Sequence, residues 1–420
     1  MRKYKTPAIA LALASFVVVN LALSALFQSN KMTTAKVLTD QALLSTNYEK
    51  RKEGPWIWWD TRAYMTRALH PDVAILGSSQ MGSAIFSAEA EHRGKAVDAL
   101  DEREVTRLEA GLSPLALAHP RVFNLSLGGA MVSDHYLIAK ALFHGEQKPK
   151  VVVLGVNPRD FIDNSLPSAS ATDTFYFLSP YVNLGKLAEV SFDGPFGWLD
   201  YQIKQNLPLK QALSIMKGNE PPNMANIATF TNPEGRGLGT KDSDNKTLGT
   251  KVLAAVSGSA GDVRKGVWLI PPGPPRLFID NTREYVNRYK TTKPACLKGQ
   301  KAYFEALMSY LHDEHIQTLV VGMPSLDCNR ALLPDSFWQE FRGYLSSTAT
   351  ANGATFVDLF ADKRFTKDCF LDTVHLNRWG GRQFVSIVSQ ELTQKQELAK
   401  ALQAPSSELA GRSAAEKQWH

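Results

Sequence analysis

Five short apolar segments alternate with segments of helical spacing, and this alternation constrains the fold more than any other feature of the sequence. The run Lys150-Val-Val-Val-Leu-Gly155 is apolar throughout between a lysine and a glycine, which is typical of a strand covered on both faces. Strands of this kind, interleaved with helices, predict an α/β fold with an open, doubly wound, parallel five-stranded sheet. The predicted strands span 73–76, 121–127, 150–155, 318–322 and 355–359.

The amino terminus contains a stretch, Thr6 to Asn30, without a charged residue, and three basic residues precede it. Its core, residues 8–27, is long enough to cross a hydrocarbon layer as a helix. The preceding positive charges predict an amino terminus in the cytoplasm and a body outside it. A cleavable signal peptide is the alternative, since Leu23-Ser24-Ala25 offers small residues for cleavage. We favour an uncleaved anchor, because the apolar run is longer than that of most signal peptides.

These patterns predict the organisation of the whole chain. The aromatic cluster 55–59 is interpreted as core or domain edge rather than as a membrane or sugar contact. The charged segment 88–118 predicts an amphipathic helical excursion. The expected parts are an anchor or signal peptide (1–30), a stalk with a lead-in helix (31–69), an α/β domain in two pieces (70–160 and 299–392), an insertion or cap (161–298) and a polar tail (393–420).

The composition bears on whether the protein binds nucleic acid, a metal or another cofactor. Apolar residues make up 44% and charged residues 21% of the chain, as in ordinary globular proteins. The net charge of +6 is spread along the sequence, so we expect no nucleic-acid partner. No Cys/His spacing resembles a zinc site, and we expect neither metal nor other cofactor. A disulfide between Cys328 and Cys369, with Cys296 left over, and three free thiols remain equally open.

Five residues could form a serine-type catalytic site. The first strand runs directly into Gly-Ser-Ser, which places the Ser79 hydroxyl at the carboxyl edge of the sheet, where such folds bind ligands. Asp372 and His375, three apart before the last helix, could serve as the orienting acid and the base. Gly129, Asn157 and the Ser79 N–H could donate to one oxyanion. Each piece alone has an ordinary explanation as a cap or a turn. Their order and positions favour the catalytic interpretation.

With these residues the chain resembles the SGNH (GDSL-like) hydrolases. The resemblance implies a flavodoxin-like sheet, with Ser79 as nucleophile, His375 as base, Asp372 as its acid, and Gly129 and Asn157 as oxyanion donors. The sequence departs from the family pattern at Ser78, Gln80 and Pro158, where the family often has Asp, Leu and Asp. The four matching blocks are Gly77-Ser-Ser-Gln80, Asn124-Leu-Ser-Leu-Gly-Gly129, Gly155-Val-Asn157 and Asp372-Thr-Val-His375.

The layout of anchor, first block and long insertion resembles the membrane-tethered SGNH proteins of bacterial polysaccharide O-acetylation and cell-wall acylation. The resemblance implies a single-pass protein of the bacterial inner membrane with its catalytic domain on the periplasmic side. It also implies a serine O-acyltransferase or esterase that acts on a polysaccharide, with a polytopic membrane O-acyltransferase as partner. A non-catalytic glycan-binding or assembly protein and a small-ester or lipid hydrolase are the alternatives.

Overall fold

A computed structural model of the protein describes residues 55–67, 70–115, 120–192, 194–206, 269–272, 278–290 and 294–404. These residues form a five-stranded sheet, a two-stranded sheet and the helices around them. The strands are β1 Val73–Leu76, β2 Val97–Asp98, β3 Val122–Asn124, β4 Val151–Val156, β5 Leu269–Ile270, β6 Gln317–Gly322 and β7 Thr355–Asp358.

The α-helices range in length from 4 to 20 residues. In chain order they are α1 Trp56–Thr66, α2 Ser79–Arg93, α3 Thr106–Gly111, α4 Val132–Leu142, α5 Arg159–Ile162, α6 Asp173–Leu178, α7 Ala188–Ser191, α8 Pro195–Asn206, α9 Thr282–Tyr289, α10 Pro294–Asp313, α11 Asp327–Arg330, α12 Asp335–Ala351, α13 Arg378–Gln394 and α14 Gln396–Gln403. Short 3-10 turns occur at Ser113–Leu115, Gly145–Gln147, Ala169–Ala171, Ser179–Tyr181, Gly185–Leu187 and Lys367–Cys369.

The large sheet has the order β3-β1-β4-β6-β7, and all of its neighbouring strands are parallel. Ile75 of β1 lies beside Asn124 of β3 on one side and Val153 of β4 on the other. Numbered by appearance in the sheet, this is the 2-1-3-4-5 order of flavodoxin-like doubly wound folds, whose ligands bind where the strand order reverses. The predicted five-stranded parallel α/β sheet is confirmed. The reversal lies between β1 and β4.

Helices cover both faces of this sheet, so side chains alternate between two cores. Ala74 and Leu76 of β1 belong to a core with apolar residues of α1, α4, α10 and α12. Val73 and Ile75 belong to the other core, with residues of α2, α3, α13 and α14. Burial on both faces explains why β1 and β4 are apolar at every position.

Two long helices, α2 and α13, cross in close contact beneath the carboxyl edge. A side-chain Cβ added at Gly381 of α13 would overlap the carbonyl oxygen of Ala84 on α2. Glycine at this position therefore allows the two backbones to touch. The crossing matters for the site, because α2 begins at Ser79 and α13 begins three residues after His375.

Helix α1 shows that part of the segment 31–69 belongs to the packed body. The aromatic cluster at its start is core, as its sequence interpretation held: Trp58 and Trp59 are buried. Asp60, also on α1, forms a buried ion pair with Arg103, which joins this helix to the loop after β2.

Two sequence expectations were wrong. The segment 88–118 is not one helical excursion, because α2 ends at Arg93, its C-cap Gly94 has a positive φ of 64°, and β2 then pairs antiparallel with β5. The expected polar tail begins within the packed part of the chain. Leu398 and Leu402 of α14 are 1% exposed, and they anchor this helix in the second core.

The remaining expectations about parts of the chain fall partly or wholly outside the described residues. The expected anchor at 1–30 lies outside them. Among the residues that the structure covers, no helix combines the length and apolar character needed to span a bilayer. The insertion 161–298 is described in part, and its described portion includes α6 to α9.

Candidate active site

The loops that follow β1, β3 and β4 lie side by side at the carboxyl edge, because β1 is flanked by β3 and β4. Ser79 is the first residue of α2 after β1, Gly129 follows β3, and Asn157 follows β4 directly. The structure thus brings together the residues that the sequence places at strand ends. These residues lie at the carboxyl ends of the strands, next to the point between β1 and β4 where the strand order reverses. Open α/β sheets bind their ligands at this point.

Ser79, His375 and Asp372 form a hydrogen-bonded relay. The Oγ of Ser79 lies 2.9 Å from Nε2 of His375, and Nδ1 of His375 lies 2.6 Å from Oδ2 of Asp372. A neutral imidazole with its proton on Nδ1 satisfies both contacts, since it donates to the carboxylate and accepts from the hydroxyl. This is the arrangement of a serine nucleophile with its base and orienting acid.

Asp372 is held rigidly and is fully buried. Its Oδ1 accepts hydrogen bonds from the backbone N–H groups of Val374 at 2.9 Å and His375 at 2.8 Å, which leaves Oδ2 for the imidazole. The next residue, Thr373, donates from its backbone N–H to Oδ1 of Asn281 at 3.0 Å. The loop that carries acid and base is therefore fixed by its own turn and by the residue that precedes α9.

The environment of His375 suits a base. Burial lowers the pKa of His375, but the charge and hydrogen bond of Asp372 outweigh that effect, so its pKa lies above the ordinary value. Two charged side chains of α9 also act on this pKa, since Glu284 raises it and Arg288 lowers it. Helix α9 begins directly after Asn281, which binds the Thr373 backbone, so this helix borders the loop that carries acid and base.

Two backbone groups are available as oxyanion donors. Gly129 is exposed and has a φ of 77°, a conformation that glycine adopts without strain. Ser79 is the first residue of the 15-residue helix α2, whose amino-terminal N–H groups favour negative charge. No acceptor for the N–H of Gly129 or of Ser79 lies within the described part of the chain.

Asn157 lies at the predicted position, but its amide is turned to other acceptors. Its Nδ2 donates to Ser78 Oγ at 3.0 Å and to Asp160 Oδ2 at 2.7 Å, and its Oδ1 accepts the backbone N–H of Arg159 at 3.0 Å. Asn157 and Ser78 are each 2% exposed. Both amide hydrogens are therefore occupied within the protein. The expected donation from Asn157 to an oxyanion does not follow from this arrangement.

Asp160 is a buried carboxyl group that sequence reasoning did not select. Its Oδ2 also accepts the backbone N–H of Asn157 at 3.1 Å, and its side chain is fully buried. Burial raises the pKa of Asp160 to about 7, against the opposing effects of Arg159 and of hydrogen bonds from Ser78 and Asn157. The spacing of Asn157 and Asp160, three residues apart at a helix start, is typical of reciprocal capping and could have indicated this contact.

Arg159 was also missed, and it ties several loops together. Its Nε donates to Asp163 Oδ2 at 2.8 Å and its Nη1 donates to the carbonyl oxygen of Ala130 at 2.8 Å. Burial raises the pKa of Asp163, but Arg159 and Arg288 outweigh it and lower that pKa to about 2. The lowered pKa keeps Asp163 ionised, so it is an anionic partner for Arg159. Arg159 connects the loop of Gly129 to the turn after β4.

The described residues contain neither a disulfide nor a candidate metal centre. Cys296, Cys328 and Cys369 are not paired with one another. Within the described residues, no group of three or more His, Cys, Asp or Glu side chains is arranged to hold a metal ion.

No protein-family model matches this chain, and no curated protein matches it. The interpretation of the site therefore rests on its own geometry.

Proposed function

We propose that this protein is a serine O-acyltransferase or esterase of the SGNH type, working through a Ser-His-Asp triad and an acyl-enzyme. The observation that carries the proposal is the continuous relay from Ser79 through His375 to Asp372, with contacts of 2.9 Å and 2.6 Å. Its position at the strand-order reversal, beside two uncommitted backbone N–H groups, supports the same conclusion.

The chemistry follows from these positions. His375 Nε2 takes the proton of the Ser79 hydroxyl while Oγ attacks the ester carbonyl, and the carbonyl π electrons move onto its oxygen. The tetrahedral intermediate then collapses, the C–O bond to the donor alcohol breaks, and His375 returns the proton to that alcohol. In the second half, a sugar hydroxyl or water gives its proton to His375 and attacks the acyl-enzyme. Ser79 leaves and recovers its proton.

We further propose that the acyl group is an O-acetyl or related group of a bacterial polysaccharide outside the cytoplasm. The uncharged stretch at residues 6–30 and the four sequence blocks that resemble the membrane-tethered SGNH proteins support this assignment. A polytopic membrane O-acyltransferase would supply the acyl group, and the anchored protein would act at the periplasmic face of the inner membrane.

Transfer to a sugar requires a site that limits water and positions the acceptor. The insertion 161–298 is the natural source of such a cover, because its helix α9 already borders the base. Asn281 binds the Thr373 backbone, and Glu284 and Arg288 act on the pKa of His375. We therefore place acceptor binding on the side of the site formed by this segment.

Replacing Ser79 by alanine in the full-length protein tests the proposal. We expect loss of covalent labelling by a fluorophosphonate probe and loss of polymer O-acetylation in cells that depend on this protein. Ser87→Ala is the matched control, since Ser87 lies on α2 two turns beyond Ser79 and is buried away from the relay. A Ser79→Ala protein that still labels and supports acylation contradicts the proposal.

The same experiment separates the rival functions. A wild-type protein that binds polymer and never labels would be a glycan-binding or assembly protein. A wild-type protein that labels and turns over short soluble esters, with no effect of the polymer, would be a small-ester hydrolase.

A further inference from the structure

The oxyanion site lacks the side-chain donor that the sequence predicts. An amide nitrogen carries two hydrogens, and those of Asn157 point to Ser78 at 3.0 Å and Asp160 at 2.7 Å. Releasing either hydrogen would leave a buried acceptor, Ser78 Oγ or Asp160 Oδ2, with one bond fewer, which is costly in a buried network.

A different side chain lies beside Gly129. The Nη2 of Arg159 would lie 3.7 Å from a Cβ added at Gly129, and it is the only atom such a Cβ would approach within 4 Å among the described residues. Nε of Arg159 binds Asp163 and Nη1 binds Ala130. Nη2 has no acceptor in the part of the chain that the structure describes. One edge of a fixed guanidinium group therefore remains open beside Gly129.

We infer that Arg159 is a catalytic residue of this site, which donates from Nη2 to the developing oxyanion beside the N–H groups of Gly129 and Ser79. This inference rests on the proposed serine mechanism and adds a residue to it. The structure thus assigns the side-chain donation to Arg159, and it assigns Asn157 to bracing the turn through Ser78 and Asp160.

The surroundings make this guanidinium an effective donor. The Arg159 side chain is only 9% exposed, so its charge acts where water screens it little. Its charge acts on neighbouring groups: burial and, as the smaller cause, the charge of Arg159 together lower the pKa of His135 to about 3. An arginine also keeps its proton throughout the reaction, so it can stabilise an oxyanion without transferring a proton.

The guanidinium group of Arg159 is held in place before the reaction and need not move during it. Asp163 is bound by Arg159 at 2.8 Å and by Arg288 at 2.5 Å, so the carboxylate that orients the guanidinium is itself fixed from both sides. Donors fixed before the reaction contribute most, because they need no reorganisation when charge develops.

Arg159→Met in the full-length enzyme is the principal test, because methionine keeps an unbranched side chain and removes the charge. Loss of one oxyanion donor lowers kcat by about 10²- to 10³-fold, so we expect a loss of that size on p-nitrophenyl acetate. We expect KM to change by less than about threefold, because the contact forms only in the transition state. Methylboronic acid forms a tetrahedral adduct with the serine, and its affinity should fall along with kcat.

Asp163→Asn is the matched control for a purely structural role. It weakens the bond to Nε and leaves Nη2 in the protein, so we expect kcat to fall less than about tenfold. Equal losses in the two variants, with unchanged boronate affinity, would show that Arg159 only braces the loop, and would overturn the inference. If Arg159→Met does not fold, Arg159→Leu replaces it, because leucine also removes both the charge and the donor. Unchanged kcat and boronate affinity in that variant would overturn the inference as well.

Failure of the inference can be told from failure of the proposed mechanism. A wild-type protein that labels with fluorophosphonate, alongside an Arg159→Met variant of full activity, refutes the role of Arg159 alone. A wild-type protein that never labels refutes both.

Discussion

Replacing Asp372 by asparagine should disable the base while leaving the fold intact. Oδ1 of Asp372 accepts two backbone N–H groups, of Val374 and His375, and Oδ2 accepts Nδ1–H of His375 at 2.6 Å. Asparagine has only one oxygen. If that oxygen keeps the two backbone bonds, the NH₂ group faces Nδ1 and donates to it. The imidazole then carries its proton on Nε2, the atom that must accept from Ser79.

The magnitude follows from the loss of the correct tautomer. A triad whose acid is replaced in this way loses about 10⁴-fold in kcat, or about 5 kcal/mol of transition-state stabilisation. The pH dependence should move as well. Because Asp372 raises the pKa of His375 against burial, wild-type activity should rise with pH around a midpoint above about 6.5. Without that charge, burial remains, and the midpoint should move to lower pH.

The assay is kcat/KM for p-nitrophenyl acetate as a function of pH, with purified full-length protein. Asp368→Asn is the control, because Asp368 has an exposed side chain and lies four residues away in the same segment. A variant within about tenfold of wild type, or one with an unmoved acid limb, would refute the relay as the working base.

Three further predictions concern the body that carries the site. Gly381→Ala should lower the free energy of unfolding in urea by about 1–3 kcal/mol, since its Cβ meets the Ala84 carbonyl. Gly343→Ala, with open space around the new Cβ, should instead raise it by about 0.5–1 kcal/mol. Leu398→Ala should cost about 2–5 kcal/mol in the same measurement, whereas a frayed tail would show no change. Burial raises the pKa of Asp60 to about 7, so its contribution to stability is present at low pH and is lost as pH rises through about 7. The urea midpoint should therefore fall between about pH 4 and pH 7, less so in Asp60→Asn, and equal slopes in both proteins would count against this assignment.

The local sequence pattern was sufficient to predict the large sheet and the residues of the Ser79–His375–Asp372 relay. The run Val151–Val156 is apolar at each position because helices cover both faces, and that requirement is visible in the residues themselves. Ser79 and His375 could be paired because each stands at a position fixed by chain order, one after β1 and the other before α13. In a parallel sheet, residues that follow the strands lie at the same carboxyl edge, so no further information is needed to place them together.

Features that depend on distant partners could not be predicted in this way. The antiparallel pair of β2 and β5 joins residues such as Val97 and Ile270, which are far apart in sequence and belong to strands of two residues. The direction of the Asn157 amide depends on Ser78 and Asp160, and a sequence block that contains Asn gives no indication of which acceptors its hydrogens will meet. The free edge of Arg159 follows from the same tertiary contacts.

The contact between α2 and α13 involves the elements that carry the nucleophile and the base, and not the element that we propose binds the acceptor. Gly381 lets the backbone of α13 rest on that of α2 near Ala84, and these two helices begin at Ser79 and just after His375. The proposed acceptor side is built from a different element, α9. Substitutions on α9 that leave Glu284 and Arg288 unchanged can therefore alter which molecule is recognised while the contacts of Ser79, His375 and Asp372 are preserved. A scaffold of this kind is well suited to adopting new substrates by substitution on α9, with Ser79 unaltered.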